Sequence, residues 1–195
     1  MRSRAGALEG QTFRKTGKLV EVSVQNLLDC TRTYGNDGCK GGLMIPAYQY
    51  IRENDGVNSE GKYPEYEAEE KQCRFRRENV VATCSGYVSI PEGDEQSLEI
   101  AVATLGPVTA AIDASRDSLQ FYSDGVYYDA ECANKPDKIN HAVLVVGYGV
   151  EPSGQKYWLV KNSYGTQWGI GGYMKIAKNA GNHCGIATYA SYPLV

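Results

Sequence analysis

The chain has 195 residues, 42% of them hydrophobic and 22% charged, with a formal net charge of −3. This length carries one domain, or two lobes, around a sizeable core, and the interspersed charge points away from nucleic acid and from an anionic membrane surface. No apolar run approaches the roughly 20 residues needed to span a bilayer, and Met1-Arg2-Ser3-Arg4-Ala5-Gly6 has no apolar signal region. A preceding segment would lie outside these residues, so the missing signal assigns no compartment.

In chain order, residues from about Ala5 to Thr16 read as a helix stopped by Gly17. Ser23 can cap a short second helix through Leu27, Leu28 and Cys30. Gly41-Gly42-Leu43-Met44-Ile45-Pro46 leads into a third. Pro46 is tolerable only in its first turn, with Ala47, Tyr50 and Ile51 on one face. Residues 58–86 are polar, charged and turn-rich, and read as a surface excursion tied down by a disulfide. Asp94 caps a helix with Leu98, Ile100, Ala101 and Leu105 as apolar contacts, closed by Gly106-Pro107. The pattern then changes to strands: Val108–Ala114, Gly125–Asp129, His141–Val150, Lys156–Asn162 and Gly172–Ala177. Helices first and strands after imply an α+β protein with segregated lobes rather than a parallel doubly wound sheet.

The composition includes 22 glycines, 15 tyrosines and six cysteines, Cys30, Cys39, Cys73, Cys84, Cys132 and Cys184. Six cysteines in a chain this long are too sparse for a disulfide-built mini-scaffold. They read as buried thiols, metal ligands or a few structural bridges. Zinc is disfavoured, because there is no Cys-x-x-Cys pair and the only two histidines, His141 and His183, stand in different contexts. Bridges in a secreted or lysosomal protein fit better.

The chemistry concentrates in one hairpin. Asn140-His141 opens the run Ala142-Val143-Leu144-Val145-Val146-Gly147-Tyr148-Gly149, too apolar for a solvent-facing strand. Glu151-Pro152-Ser153-Gly154 is a turn, and Lys156-Tyr157-Trp158-Leu159-Val160 returns. A turn centred near Pro152 or Ser153 places His141 within about three residues of Asn162 on the neighbouring strand. An amide oxygen there can hold one ring nitrogen and leave the other free, which fixes both tautomer and aim. An isolated histidine is more often a structural one; the hairpin makes the catalytic reading equally good.

These residues resemble the histidine and asparagine blocks of papain-type cysteine peptidases. The blocks are Asn140–Gly149 and Tyr157-Trp158-Leu159-Val160-Lys161-Asn162-Ser163-Tyr164-Gly165-Thr166-Gln167-Trp168-Gly169. Gln25–Cys30, Gly38–Met44, Cys184–Ala187 and Ser191–Pro193 match further blocks of a cathepsin L, K or S-like mature domain. The resemblance runs from about Ala5 to Val195. It implies a two-lobed fold over 1–195, with a mainly helical left lobe (about 1–107) and a β-barrel right lobe (about 108–195) flanking a groove.

The family's mechanism pairs a thiolate with an imidazolium: the thiolate attacks the scissile carbonyl and the imidazolium protonates the leaving amine. By motif match His141 is the base and acid, Asn162 orients it, and Trp168 belongs to the wall on the leaving-group side. The nucleophile belongs roughly 130–150 residues earlier, in a block of the type Cys-Gly-Ser-Cys-Trp. No such block occurs. By the position of Gly6-Ala7-Leu8-Glu9-Gly10, Met1 stands about two residues after the nucleophile, so the oxyanion-hole glutamine is missing as well. The expectation is an amino-terminally truncated chain that is inactive as it stands.

The resemblance also pairs Cys30 with Cys73 and Cys132 with Cys184, leaves Cys39 an orphan thiol, and assigns no bridge to Cys84. Gly41 and Gly42 match the pair that aligns an extended peptide, while Met44, Ala111, Ile139, Ala142 and Tyr189 fall where the family lines its main apolar pocket. Tyr189 there favours medium aliphatic side chains over large aromatics. Tyr164 stands where a tryptophan usually shields the histidine–asparagine bond. Arg2 and Arg4 fall where the family helix buries aromatic and small residues, so that end is expected to fray.

The implied partners are extended peptide or protein substrates and propeptide or cystatin-like inhibitors, with no nucleic acid, no membrane and no cofactor, the chain being a monomer. The implied compartment is lysosomal or secreted. Three readings follow: an incomplete copy of an endopeptidase, a non-catalytic peptide- or partner-binding homologue, or a secreted disulfide protein unrelated in function. The lineage that the matching blocks carry disfavours the third, and the arginines at the start favour the first over the second.

Overall fold

The computed structural model describes residues 2–195, which divide into two compact units: the residues up to Val88 with Ser191–Val195, and Ser89–Ala190. In the first unit, helix α1 (Arg2–Thr16) ends at Gly17, whose φ of +71° only glycine adopts without strain and whose N–H bonds Phe13 O at 2.7 Å. The expected fraying is not found. The helix starts at Arg2, and Arg4 is 2% exposed with its Nη2 donating to the carbonyl of Gly42. Burial lowers the Arg4 pKa to about 10, so the guanidinium still carries its charge at neutral pH. Arg2 lies over the Tyr66 ring, 5.1 Å from its centroid.

Helix α2 (Val24–Cys30) is capped by Ser23, whose side chain accepts from Asn26 N, and every residue of it is buried. Its polar groups are therefore obliged to find partners within the unit. Asp29 accepts from Tyr63 Oη (2.8 Å), Lys71 N (2.9 Å) and Gln25 Nε2 (2.6 Å). Asn26 Oδ1 accepts from Asn58 N at 2.9 Å. With the Cys30–Cys73 bridge, Cα atoms 4.8 Å apart, these bonds tie the surface excursion to α2. The excursion also holds a small sheet of β1 (Val57–Asn58) and β2 (Val80–Ala82) that the composition of this stretch does not announce. Helix α3 (Met44–Glu53) carries Pro46 in its first turn and buries Ala47, Tyr50 and Ile51. Strand β3 (Gly86–Ser89) neighbours β9 (Ser191–Leu194).

In the second unit, Asp94 Oδ1 accepts from Ser97 N at 2.9 Å and starts α4 (Glu95–Leu105), which Gly106 closes. Leu98 and Ala101 are buried as expected. Ile100 is a correction: it is 55% exposed, because it sits on the opposite side of the helix from Leu98 and Ala101. The strands run β4 (Val108–Ile112), β5 (Val126–Tyr127), β6 (His141–Val150), β7 (Lys156–Lys161) and β8 (Tyr173–Ala177), with the one-turn helix α5 (Asp117–Gln120) before β5. Their order in the sheet is β4-β6-β7-β8-β5, antiparallel except for β5 beside β8. The β6–β7 turn closes through Gly154 N to Glu151 O and Glu151 N to Gln155 O.

One carboxylate joins helix, hairpin and loop. Glu95, in the first turn of α4, is 9% exposed and accepts from Trp158 Nε1 (2.9 Å), Asn179 N (2.8 Å) and Asn182 N (2.9 Å). Trp158 is fully buried on β7, so Glu95 supplies the acceptor its indole N–H needs. Asp113, just past β4, is 2% exposed and takes Ser115 N (3.0 Å), Ser115 Oγ (2.6 Å) and Ala133 N (2.8 Å). Burial alone would raise its pKa, but these donors outweigh it and hold the carboxyl below the ordinary 3.8.

Glu95→Ala leaves three buried donors without acceptors and is expected to cost about 3–5 kcal/mol in urea unfolding, against under about 1 kcal/mol for Gln96→Ala, an exposed neighbour on the same helix. For Asp113→Asn the loss is expected to be about 1–2 kcal/mol above pH 5. Because the folded pKa lies below the unfolded one, wild type loses this advantage as pH falls below 3.8 and through the folded value. The stability gap between the two proteins, followed by urea melts from pH 6 to pH 3, should therefore close at the acid end.

Candidate active site

His141 is the first residue of β6 and Asn162 the first after β7. Along most of the hairpin the ladder is regular, from Val150 opposite Lys156 to Gly147 opposite Leu159. Val145 then pairs Val160 and Leu144 pairs Lys161, so Val146 is an extra, bulged residue. The consequence follows from the two-residue period of a strand. Without the bulge Asn162 would stand opposite Leu144, whose side chain points to the other face from His141. With it, Asn162 stands opposite Val143, on the same face as His141 and one diagonal step away. The side chains meet there: His141 Nε2 lies 2.8 Å from Asn162 Oδ1.

The protonation pattern can be read from the partners. Asn162 Oδ1 also accepts the N–H of Ser163 at 2.7 Å, which fixes the oxygen's position in the amide. An amide oxygen only accepts, so His141 Nε2 carries the proton and, in the neutral ring, Nδ1 keeps its lone pair. Burial pushes the His141 pKa below 6.5, opposed by the hydrogen bond to Asn162. The ring is half-buried against Tyr164, centroids 4.9 Å apart at 36°. Tyr164 meets Trp168 edge-on (5.3 Å, 84°), and Trp168 Nε1 donates to Leu119 O (3.2 Å) and Gln120 O (3.0 Å) of α5. Tyr164 is 44% exposed, a smaller cover than the tryptophan of the resemblance.

The other sequence-derived positions fall as follows. Ala111 pairs directly with Ala142 across β4 and β6, next to Ile112 opposite His141. Ile139 is half-buried and its Cδ1 sits where a Cβ on Gly185 would be. Tyr189 is 40% exposed. Gly41, Gly42 and Met44 belong to the first unit. There Gly41 has φ +128°, and a Cβ on Gly42 would stand 2.2 Å from Asn36 Oδ1, so both positions demand glycine. The bulge at Val146 and the support of Trp168 from α5 are the contributors that sequence reading misses. An apolar Val145-Val146 pair carries no bulge signal, and no pattern links residues 119 and 168.

The six cysteines are accounted for. Cys30–Cys73 and Cys132–Cys184 are bridged, Cys39 is exposed, and Cys84 is buried with its thiol pushed up to about 11 by desolvation. The unit that carries His141 therefore holds no free thiol. Cys132, His183 and Cys184 cluster within 4.8 Å, but their sulfurs are bonded to each other, which removes the thiolates a metal would need. His183 is buried, stacks on Tyr128 (4.6 Å, 13°) and accepts Asp129 N–H on Nε2 at 3.2 Å.

A polarised imidazole with an oriented lone pair beside an aromatic wall can serve chemically as a general acid and base toward a neighbouring nucleophile. Residues 2–194 match the family described as papain family cysteine protease, and the chain belongs to that family. Its relatives place it among the cathepsin L-like members. A cathepsin L-like peptidase of Aedes aegypti is 58% identical over 99% of this chain and 56% of its own length, and the procathepsin L of Rattus norvegicus is 56% identical over 99% and 58%. The digestive procathepsin L 3 of Tenebrio molitor larval midgut superposes with a TM-score of 0.94 at 51% identity, covering this whole chain and 62% of that one. Bromelain from Ananas comosus, in complex with the E64 inhibitor, gives 0.88 at 36% identity and is covered to 87%. The chain thus spans a little over half the length of the curated relatives it matches.

By NMR titration His141 is expected to protonate below pH 6.5. The unfolded chain then binds the proton before the folded one, so this group lowers stability as pH falls through 6.5. Asn162→Asp puts a negative charge on the imidazole's partner and should raise the His141 value above 6.5.

Proposed function

We propose that this chain is the acid–base and substrate-binding portion of a cathepsin L-like endopeptidase, and that by itself it does not cleave peptides. The observation that carries this is the His141–Asn162 hydrogen bond in a unit with no free thiol. In the reaction His141 takes a proton from a cysteine thiol and returns it to the leaving amine, while Asn162 keeps Nε2–H occupied so that Nδ1 faces the reacting groups. A thiolate beside Nδ1 favours the imidazolium and opposes the depression that burial causes. None of Cys30, Cys39, Cys73, Cys84, Cys132 or Cys184 fits the nucleophile's role, four being oxidised, Cys84 held as a buried thiol, and Cys39 donating its S–H to Ala68 O at 3.3 Å in the first unit.

The positions assigned to substrate are Gly41 and Gly42 for backbone pairing with an extended peptide, Met44, Ala111, Ile139, Ala142 and Tyr189 for its main apolar side chain, and Trp168 for the leaving-group side. The names of the procathepsin relatives support a propeptide as one partner, and cystatin-like inhibitors would use the same surfaces. The two bridges support a lysosomal or secreted setting.

A Leu-Arg fluorogenic peptide under reducing, mildly acidic conditions should show no turnover with this chain above that of His141→Ala. Turnover abolished by a thiol alkylator would overturn the claim of inactivity. Joining a Cys-Gly-Ser-Cys-Trp block ahead of α1 should create alkylator-sensitive hydrolysis that His141→Ala lowers by about 10³-fold or more. A hydrolytic chain indifferent to that substitution would sink the assignment of His141.

A further inference from the structure

The first unit has a concavity that plays no part in the chemistry described above. It is an open basin of about 460 Å³ lined by Lys62, Pro64, Arg74, Phe75, Arg76 and Asn79. Its wall is held by bonds that leave the charged ends free. Cys73 is bridged to Cys30, and Arg74 N donates to Tyr63 Oη at 2.9 Å. Arg76 is gripped at both backbone groups by Asn58, N to Oδ1 at 2.9 Å and O from Nδ2 at 2.6 Å. Phe75, between the two arginines, is half-buried and edge-on to Tyr50.

Most acids of the same excursion are engaged elsewhere: Glu60 accepts Val24 N at 3.1 Å, while Glu65, beside Pro64, has no ion pair among the described residues. Glu67 and Glu69 pair with Lys71, Glu70 with Arg32, and Asp55 with Arg77. Arg76 reaches only Glu78, at 3.9 Å, with both side chains about 70% exposed. Lys62 and Arg74 have no carboxylate partner among the described residues. Three cations thus line one basin against one long ion pair, Arg76 to Glu78, with Glu65 the unpaired acid next to Pro64, a net positive arrangement that an anion or mobile counterions would stabilise.

We infer that this basin binds a phosphate or sulfate monoester. Three cationic groups and the Asn79 amide line the same basin, Lys62 from one segment and Arg74, Arg76 and Asn79 from another, which suits a tetrahedral oxyanion offering three oxygens. A planar carboxylate offers two. Phe75 and Pro64 give an apolar surface for the carbon skeleton that bears the ester.

The test is calorimetric titration of the 195-residue chain at low ionic strength with inorganic phosphate, sulfate, glucose 6-phosphate and glucose 6-sulfate. The esters should bind at least about threefold more tightly than the free ions, since only they reach Phe75 and Pro64. Affinity should fall about tenfold or more between 20 and 200 mM salt, as expected for pairing at an exposed site. Lys62→Ala/Arg74→Ala should weaken binding at least about tenfold, Arg74→Lys should recover part of it, and Arg32→Ala, which touches only Glu70, should leave it unchanged. All of these side chains are exposed, and unaltered thermal midpoints will show that the fold is kept.

The two ester chemistries separate by pH. The phosphate ester carries its second charge only above about pH 6, so a preference for glucose 6-phosphate that is present at pH 7.5 and lost at pH 5 assigns phosphate. Tighter binding of glucose 6-sulfate at both values assigns sulfate. No saturable binding of any probe, or binding that the double variant retains, overturns the proposal.

Discussion

The bulge at Val146 is the constraint on which the functional face depends. The β6–β7 ladder is the longest in the second unit, and its register decides which side chains share a face over its whole length. One extra residue on β6 changes the parity of every pairing beyond it. Toward the turn, Trp158 is directed to the core and to Glu95; beyond the bulge, Asn162 is directed to His141. Trp158 and Asn162, four residues apart, share a face of β7, and without the extra residue on β6 His141 would fall on the opposite face from Asn162. The kink in the hydrogen bonding is small beside that requirement.

The two ends of the hairpin are then fixed by different physics. At Glu95 the requirement is satisfaction: a buried carboxylate meets three donors, and α4, β7 and the 179–182 loop are joined because none of them can leave its polar group unpaired. At His141 the requirement is direction. One oxygen receives both the imidazole N–H and the Ser163 amide, which leaves the second ring nitrogen with nothing to do but accept a proton. Tyr164 and Trp168 hold the ring by contact, and α5 holds Trp168 through its indole nitrogen, so a residue remote in sequence sets how firmly the imidazole is backed.

How much of this is legible in the sequence depends on how local the cause is. Ser23, Gly17 and Asp94 act within a few residues of their own helices, and the structure has those ends where capping rules put them. The hairpin, too, follows from a turn flanked by apolar runs. Arg4 misleads because its acceptor, the Gly42 carbonyl, is 38 residues away, and a helix read alone shows only a cation on a buried face. Ile100 misleads for the reverse reason, an apolar residue on the solvent side of a helix whose other face is already filled. The strands at 57–58 and 80–82 are too short to show a period. The change from helical to strand pattern near residue 107 differs from the contact boundary at Val88, because α4 belongs with the strands it packs on. At the site, His141 and Asn162 can be found from spacing, but the face they share cannot, since nothing marks Val146 as the residue that will be left unpaired.

Both histidines of this chain are neutral in the folded protein, His141 as a donor to Asn162 and His183 as an acceptor from Asp129, and burial depresses both. Seen from the solvent, hydrogen ion is then a ligand that prefers the unfolded chain. Opening the second unit in mildly acidic solution takes up as many as two protons, one per imidazole, so unfolding there is driven by mass action on the proton as well as by heat or denaturant. Any bound group that places negative charge beside His141 reverses the preference at one of these two sites and makes acidity a weaker denaturant for the molecule that carries it.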